Sequence, residues 1–139
     1  MTLAVHIERL STRTHTLINR LDLRVAPGDI LTLMGPSGCG KSSVLAAVAG
    51  TLATDGGMRF EGRVQLGDDD ITVWPTARRG VGLLFQDDLL FAHMTVGENL
   101  LFAVPSGHKP ARLTAVQAAL DEAGLSGFAD RDPATLSGG

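Results

Sequence analysis

The chain has 139 residues, 44% of them hydrophobic and 19% charged, with a formal net charge of −3. That length allows one domain at most, and the composition is too apolar for a disordered chain. A net-acidic balance argues against a general nucleic-acid binder, and a single cysteine excludes an internal disulfide and a cysteine-cluster metal site. No apolar run approaches the ~18 residues that a spanning helix needs. The N-terminus lacks the basic-then-apolar pattern of a secretory signal, so the chain is expected to be cytosolic.

In chain order, Leu3, Val5 and Ile7 alternate with Ala4, His6 and Glu8, which predicts a half-buried strand. Leu21, Leu23 and Val25 predict a second strand, followed by a turn at Pro27-Gly28-Asp29. Ile30 to Met34 is almost continuously apolar, the pattern of a parallel-sheet strand covered on both faces. Glycines at 35, 38 and 40 follow, and Lys41 to Ala49 reads as a helix ending near Gly50. The middle is punctuated by Gly56, Gly57, Gly62 and Gly67, with one strand around Arg63 to Leu66. The acidic run Asp68-Asp69-Asp70 reads as a solvated turn. Val81 to Phe85 predicts another apolar strand, closed by Gln86-Asp87-Asp88. Thr95 to Val104 predicts a helix capped by Thr95. Ala111 to Ala123 predicts a second helix, with Leu113, Val116, Leu120 and Ala123 on one face, the apolar side of an amphipathic pattern. This mixture of strands and helices around a strand–glycine loop–helix step fits an α/β fold.

Gly35-Pro36-Ser37-Gly38-Cys39-Gly40-Lys41-Ser42 satisfies G-x-x-x-x-G-K-[ST] at every required position, between an apolar strand and a helix. Its glycines let the backbone wrap tightly, so that N–H groups from about Gly38 to Ser43 converge on one anion. The helix N-terminus adds its positive end. Lys41 then places a charge between β- and γ-phosphates, and the Ser42 hydroxyl is a magnesium ligand. The loop therefore predicts a site for a nucleoside triphosphate with Mg²⁺. Cys39 lies inside the loop with no His or second Cys near it in sequence, and reads as an ordinary loop position that alkylation would use to block nucleotide.

Asp87 or Asp88 could end the strand Val81–Phe85 as a magnesium-holding acid, but Gln86 intervenes and no Glu follows within reach. Taken together, the phosphate loop, Phe85-Gln86, the run Leu90-Phe91-Ala92-His93-Met94-Thr95-Val96-Gly97-Glu98-Asn99-Leu100 and Leu136-Ser137-Gly138-Gly139 give another reading. From about Leu3 onward the chain resembles the ATPase subunit of an ATP-binding-cassette (ABC) transporter, most closely bacterial importer ATPases for small ions, vitamins or polyamines. The resemblance implies a P-loop core with an antiparallel β-rich flank over 1–85, and the start of an α-helical subdomain over 86–139. It implies that Gln86 sits near the γ-phosphate and magnesium as a second metal contact. It implies that Ser137, Gly138 and Gly139 contact the γ-phosphate of ATP held by a second copy, in a head-to-tail pair. The remaining implied partners are membrane permease subunits, which would insert a short helix into the helical subdomain, and through the complex a solute-binding protein. The implied location is peripheral, on the inner face of the cell membrane.

The sequence departs from that pattern in two places. The family stacks adenine on an aromatic residue ahead of the phosphate loop; the matching stretch here is Ser11-Thr12-Arg13-Thr14-His15, and the chain has no tyrosine. Arg13 and His15 have flat faces for stacking, although solvated loop residues are the simpler reading. The chain also holds no counterpart of the magnesium Asp, the general-base Glu and the switch His that the family places after the signature, so it is expected to be the N-terminal part of a longer cassette. A non-hydrolysing nucleotide-binding module and a soluble ABC ATPase outside transport are the alternatives.

Overall fold

Alternation turns Val5 and Ile7 to one face of β1 (Leu3–Ser11), and both are buried in this computed structural model, which describes residues 1–86 and 89–136. The pairing then skips Glu8, so the strand turns over at a bulge and Leu10, rather than Arg9, faces inward. β1 pairs antiparallel with both β2 (Thr16–Val25) and β3 (Arg59–Leu66). The short β4 (Asp69–Asp70) adds to β3, giving the order β2-β1-β3-β4. β2 and β3 thus begin earlier than the apolar alternation alone predicted.

The acidic run is partly a strand: Asp69 pairs with Leu66 and Asp70 with Gln65, and only Asp68 stays in the turn. Asp70 accepts hydrogen bonds from the hydroxyl and amide of Thr72 and pairs with Arg63 at 3.0 Å. The Thr72 bonds, with Arg63 as a smaller contribution, hold its carboxyl below the usual carboxylate range.

α1 (Lys41–Ala49) lays Val44 and Val48 on the sheet, where they complete a core with Val5, Ile7, Leu10, Val64 and Ile71. Its C-terminus stops at Gly50 in the left-handed conformation, with the Gly50 amide turned back to Ala46 and Ala47. These elements belong to the first of two compact units, Met1–Leu84.

The second unit, Phe85–Gly139, contains α2 (Val96–Ala103) and α3 (Lys109–Glu122). Thr95 caps α2 as predicted, and with Glu98 it forms a reciprocal capping box. The Asn99 side chain fixes the preceding loop by bonding both backbone groups of Phe91 and the carbonyls of Met94 and Thr95. Val96, Val116 and Leu120 form this unit's core.

Two expectations are corrected. On α3, Val116 and Leu120 are buried, but Leu113 is 48% exposed and Ala123 is exposed. The last turn of α2 presents the Leu101 and Val104 carbonyls, and these take the Arg112 guanidinium rather than an apolar side chain. The second correction concerns Ile30–Met34 and Val81–Phe85, neither of which forms a strand. Ile30, Met34 and Leu84 are 93%, 87% and 97% exposed. A strand exists only through its ladder, and among the described residues no neighbouring strand lies beside either segment. Among the described residues, no helix is long and apolar enough to cross a membrane.

Candidate phosphate-binding site

The eight-residue loop Gly35–Ser42 leads from the apolar segment 30–34 into the first turn of α1. Gly40 is the residue at the helix entrance, with φ 98°. A side chain there would be strained by that φ and would press on Leu17 and Ile18, whose atoms lie 3.3 Å from the Cβ position. Glycine is therefore required both by backbone conformation and by the close approach of β2.

The first intrahelical bond runs from the Val44 amide to the Gly40 carbonyl, at 2.9 Å. The amides of Lys41, Ser42 and Ser43 precede it and have no acceptor one turn back along the helix. No side chain caps this end and no acidic residue stands in its first turn. The positive end of α1 is thus left for an external anion.

Lys41 is folded back over the loop. Its ammonium donates to the carbonyls of Gly35 at 2.9 Å and Pro36 at 2.7 Å, and approaches the Cys39 sulfur at 3.7 Å. The cation is therefore held at the loop by two backbone dipoles. Ser37, Gly38 and Ser42 are exposed, and Cys39 and Ser43 are half-buried. The Ser42 hydroxyl is a hard oxygen donor in the first helical turn, the donor type that Mg²⁺ takes. Among the described residues there is no cluster of three or more His, Cys, Asp or Glu side chains able to hold a metal ion.

The turn between β1 and β2 is tightly knit. The Thr12 amide donates to the His15 carbonyl at 2.9 Å, and the Thr12 hydroxyl bonds the His15 backbone. The His15 ring nitrogen Nδ1 meets the Thr14 hydroxyl at 2.9 Å and the Thr12 hydroxyl at 3.2 Å. Arg13 instead lies over Gly57, filling the space that a side chain there would need. Thr12 is half-buried, and Arg13 and His15 are exposed.

Gln86 is exposed, in a bend just inside the second unit. Asp87, Asp88, Ser137, Gly138 and Gly139 lie outside the described residues. The structure thus brings together the sequence-predicted loop residues, while Gln86 belongs to the other unit.

Arg79 was not singled out by the sequence reading: it is 6% exposed and its guanidinium reaches the far end of α1. The second unit also carries an apolar hollow of about 530 Å³, lined by Leu89, Phe91, Leu100, Phe102, Leu120 and Leu136 among others. Phe102 and Leu89 on its rim are 67% and 69% exposed, and Phe91 stacks edge-on against Phe102.

A protein-family model described as ABC transporter matches residues 18–139 of the chain. Over 124 residues the chain is 48% identical to the uncharacterized ABC transporter ATP-binding protein YnjD of Escherichia coli (strain K12), covering 88% of this chain and 56% of that protein. Over 125 residues it is 43% identical to the spermidine/putrescine import ATP-binding protein PotA of the same strain, covering 88% of this chain and 32% of that protein. The chain therefore spans little more than half the length of the first relative and about a third of the second.

Proposed function

Because the chain belongs to the ABC transporter family, we propose that it is the nucleotide-binding part of a subunit that binds and hydrolyses ATP to power import of a small solute across a membrane. The observation that carries this reading is the loop itself: amides without a side-chain cap at the start of α1, and the Lys41 ammonium folded back on the Gly35 and Pro36 carbonyls.

In this reading the amides of residues 38–43 bind the β-phosphate, and Gly35, Pro36, Ser37 and Gly38 shape the turn that lets them converge. Lys41 leaves the Gly35 and Pro36 carbonyls and bridges the β- and γ-phosphates, exchanging two neutral acceptors for charged ones. Ser42 and Gln86 hold magnesium, which supplies charge neutralisation at the phosphate oxygens. Lys41 and Gln86 orient the γ-phosphate for attack by water. Ser137, Gly138 and Gly139 cap the ATP on a second copy, and the ATPase sits on the inner face of the cell membrane against permease subunits. The apolar segments 30–34 and 81–84, with Ile30, Met34 and Leu84 exposed, fit the place of strands in the sheet of a whole cassette.

Nucleotide binding by the full-length protein tests the reading. Lys41→Ala should abolish Mg·ATP binding in titration calorimetry, whereas Gln86→Ala should keep binding and lose most hydrolysis. Unchanged affinity in Lys41→Ala would remove the loop from the mechanism. Recovery of the native protein with a ribosome or DNA, rather than with an integral membrane protein, would remove transport.

A further inference from the structure

We infer that Arg79 is a positioning residue for nucleotide binding: it pins the C-terminal end of α1 to the edge of the sheet and so fixes where the phosphate loop stands. The inference rests on the phosphate-loop reading above.

The Arg79 guanidinium is almost wholly buried and spends its donors on backbone carbonyls from two separate stretches of chain. Nη1 donates to Ala47 at 2.7 Å and Val48 at 2.9 Å, in the last turn of α1. Nη2 donates to Thr72 at 2.6 Å and Nε to Trp74 at 2.9 Å. Those two residues follow β4, and the Thr72 hydroxyl is itself tied to the Val64 backbone in β3. The bridge therefore runs from helix to sheet through one rigid planar group.

Two neighbours are shaped to admit it. Gly50 has φ 77°, and a Cβ there would stand 2.5 Å from the Arg79 Nε. The Thr76 hydroxyl takes the Gly50 carbonyl at 2.7 Å, so the carbonyl next to the bridge is satisfied separately. Burial lowers the guanidinium pKa, yet an arginine keeps its charge, which complements the negative end of the helix.

Its consequence for the loop is mechanical. α1 has nine residues, about 13 Å of helix, with the phosphate loop at one end and Arg79 at the other. A tilt of about 5° about the C-terminal end displaces the first-turn amides by about 1 Å, and an error of that size can cost about a hundredfold in a positioned reaction. Lysine cannot replace the fork, because one ammonium cannot reach acceptors on two sides from three separate nitrogens.

The test compares Arg79→Lys and Arg79→Met with wild type in the full-length protein, below the melting temperature of each. Mg·ATP affinity and kcat/KM should fall about tenfold or more in Arg79→Met, with partial recovery in Arg79→Lys. A lowered Tm with ATP affinity within twofold of wild type overturns the inference and leaves Arg79 as a purely structural group. Should neither variant fold, hydrogen exchange on the wild type decides. Mg·ATP should then slow exchange at residues 47–50 and 72–79 as well as in the loop, and protection confined to the loop overturns the inference. Wild type that binds no Mg·ATP would overturn the phosphate-loop reading and this inference with it.

Discussion

Lys41 and Arg79 place two cations at opposite ends of the same nine-residue helix, and the surroundings of each decide what it can do. Lys41 sits on exposed carbonyls that it can leave; Arg79 is buried against carbonyls in the last turn of α1. The first was legible in the sequence, because the loop's residue types and spacing are contiguous. The second was not, because Arg78 and Arg79 are adjacent and alike, and the two helix carbonyls that Arg79 binds lie 31 and 32 residues earlier. The turn between β1 and β2 gives a residue-scale prediction. Its residues offer no aromatic ring beyond His15, whose Nδ1 is engaged by threonine hydroxyls. Stacking on an aromatic side chain is worth about 1–3 kcal/mol per base, so without it Mg·ATP and base-free Mg·triphosphate should bind the full-length protein within about tenfold of each other. A hundredfold preference for ATP, measured by competition, would show that another residue reads the base.

Among the elements, helices were easier to foresee than strands because their ends are written locally. Thr95 with Glu98 three residues on marks the start of α2, and Gly50 marks the end of α1. β1 was legible as far as Ile7; the bulge at Glu8, which brings Leu10 inward, depends on the partner strand. The apolar segments 30–34 and 81–85 carry a strand pattern without a ladder, since pattern resides in one segment and pairing needs two. The exposed rim of the second unit's hollow supports the proposed permease contact, as a short amphipathic helix would lay apolar side chains there. Phe102→Ser should then reduce co-purification with the membrane subunit severalfold while leaving Mg·ATP affinity unchanged. Equal recovery of the complex would move the contact elsewhere.

At the scale of the molecule, each compact unit has its own core, with Ile7, Leu10 and Ile71 in one and Val96, Val116 and Leu120 in the other. The 139-residue chain taken alone also presents Ile30, Met34 and Leu84 to water, apolar side chains on backbone with no ladder. Exposed apolar segments with unpaired backbone groups favour association between chains. This polypeptide should therefore associate as its concentration rises, read by light scattering, and the double variant Ile30→Lys/Leu84→Lys should stay monomeric over a wider range. Identical scattering from both would place the sticky surface elsewhere. Lys41, meanwhile, seats its ammonium on the loop's own carbonyls, so a phosphate that takes the lysine competes with two backbone acceptors. Capture of a nucleotide becomes a displacement, first encounter and then exchange of the lysine's partners. The observed association rate should consequently level off at high nucleotide concentration, at the rate with which the lysine lets go.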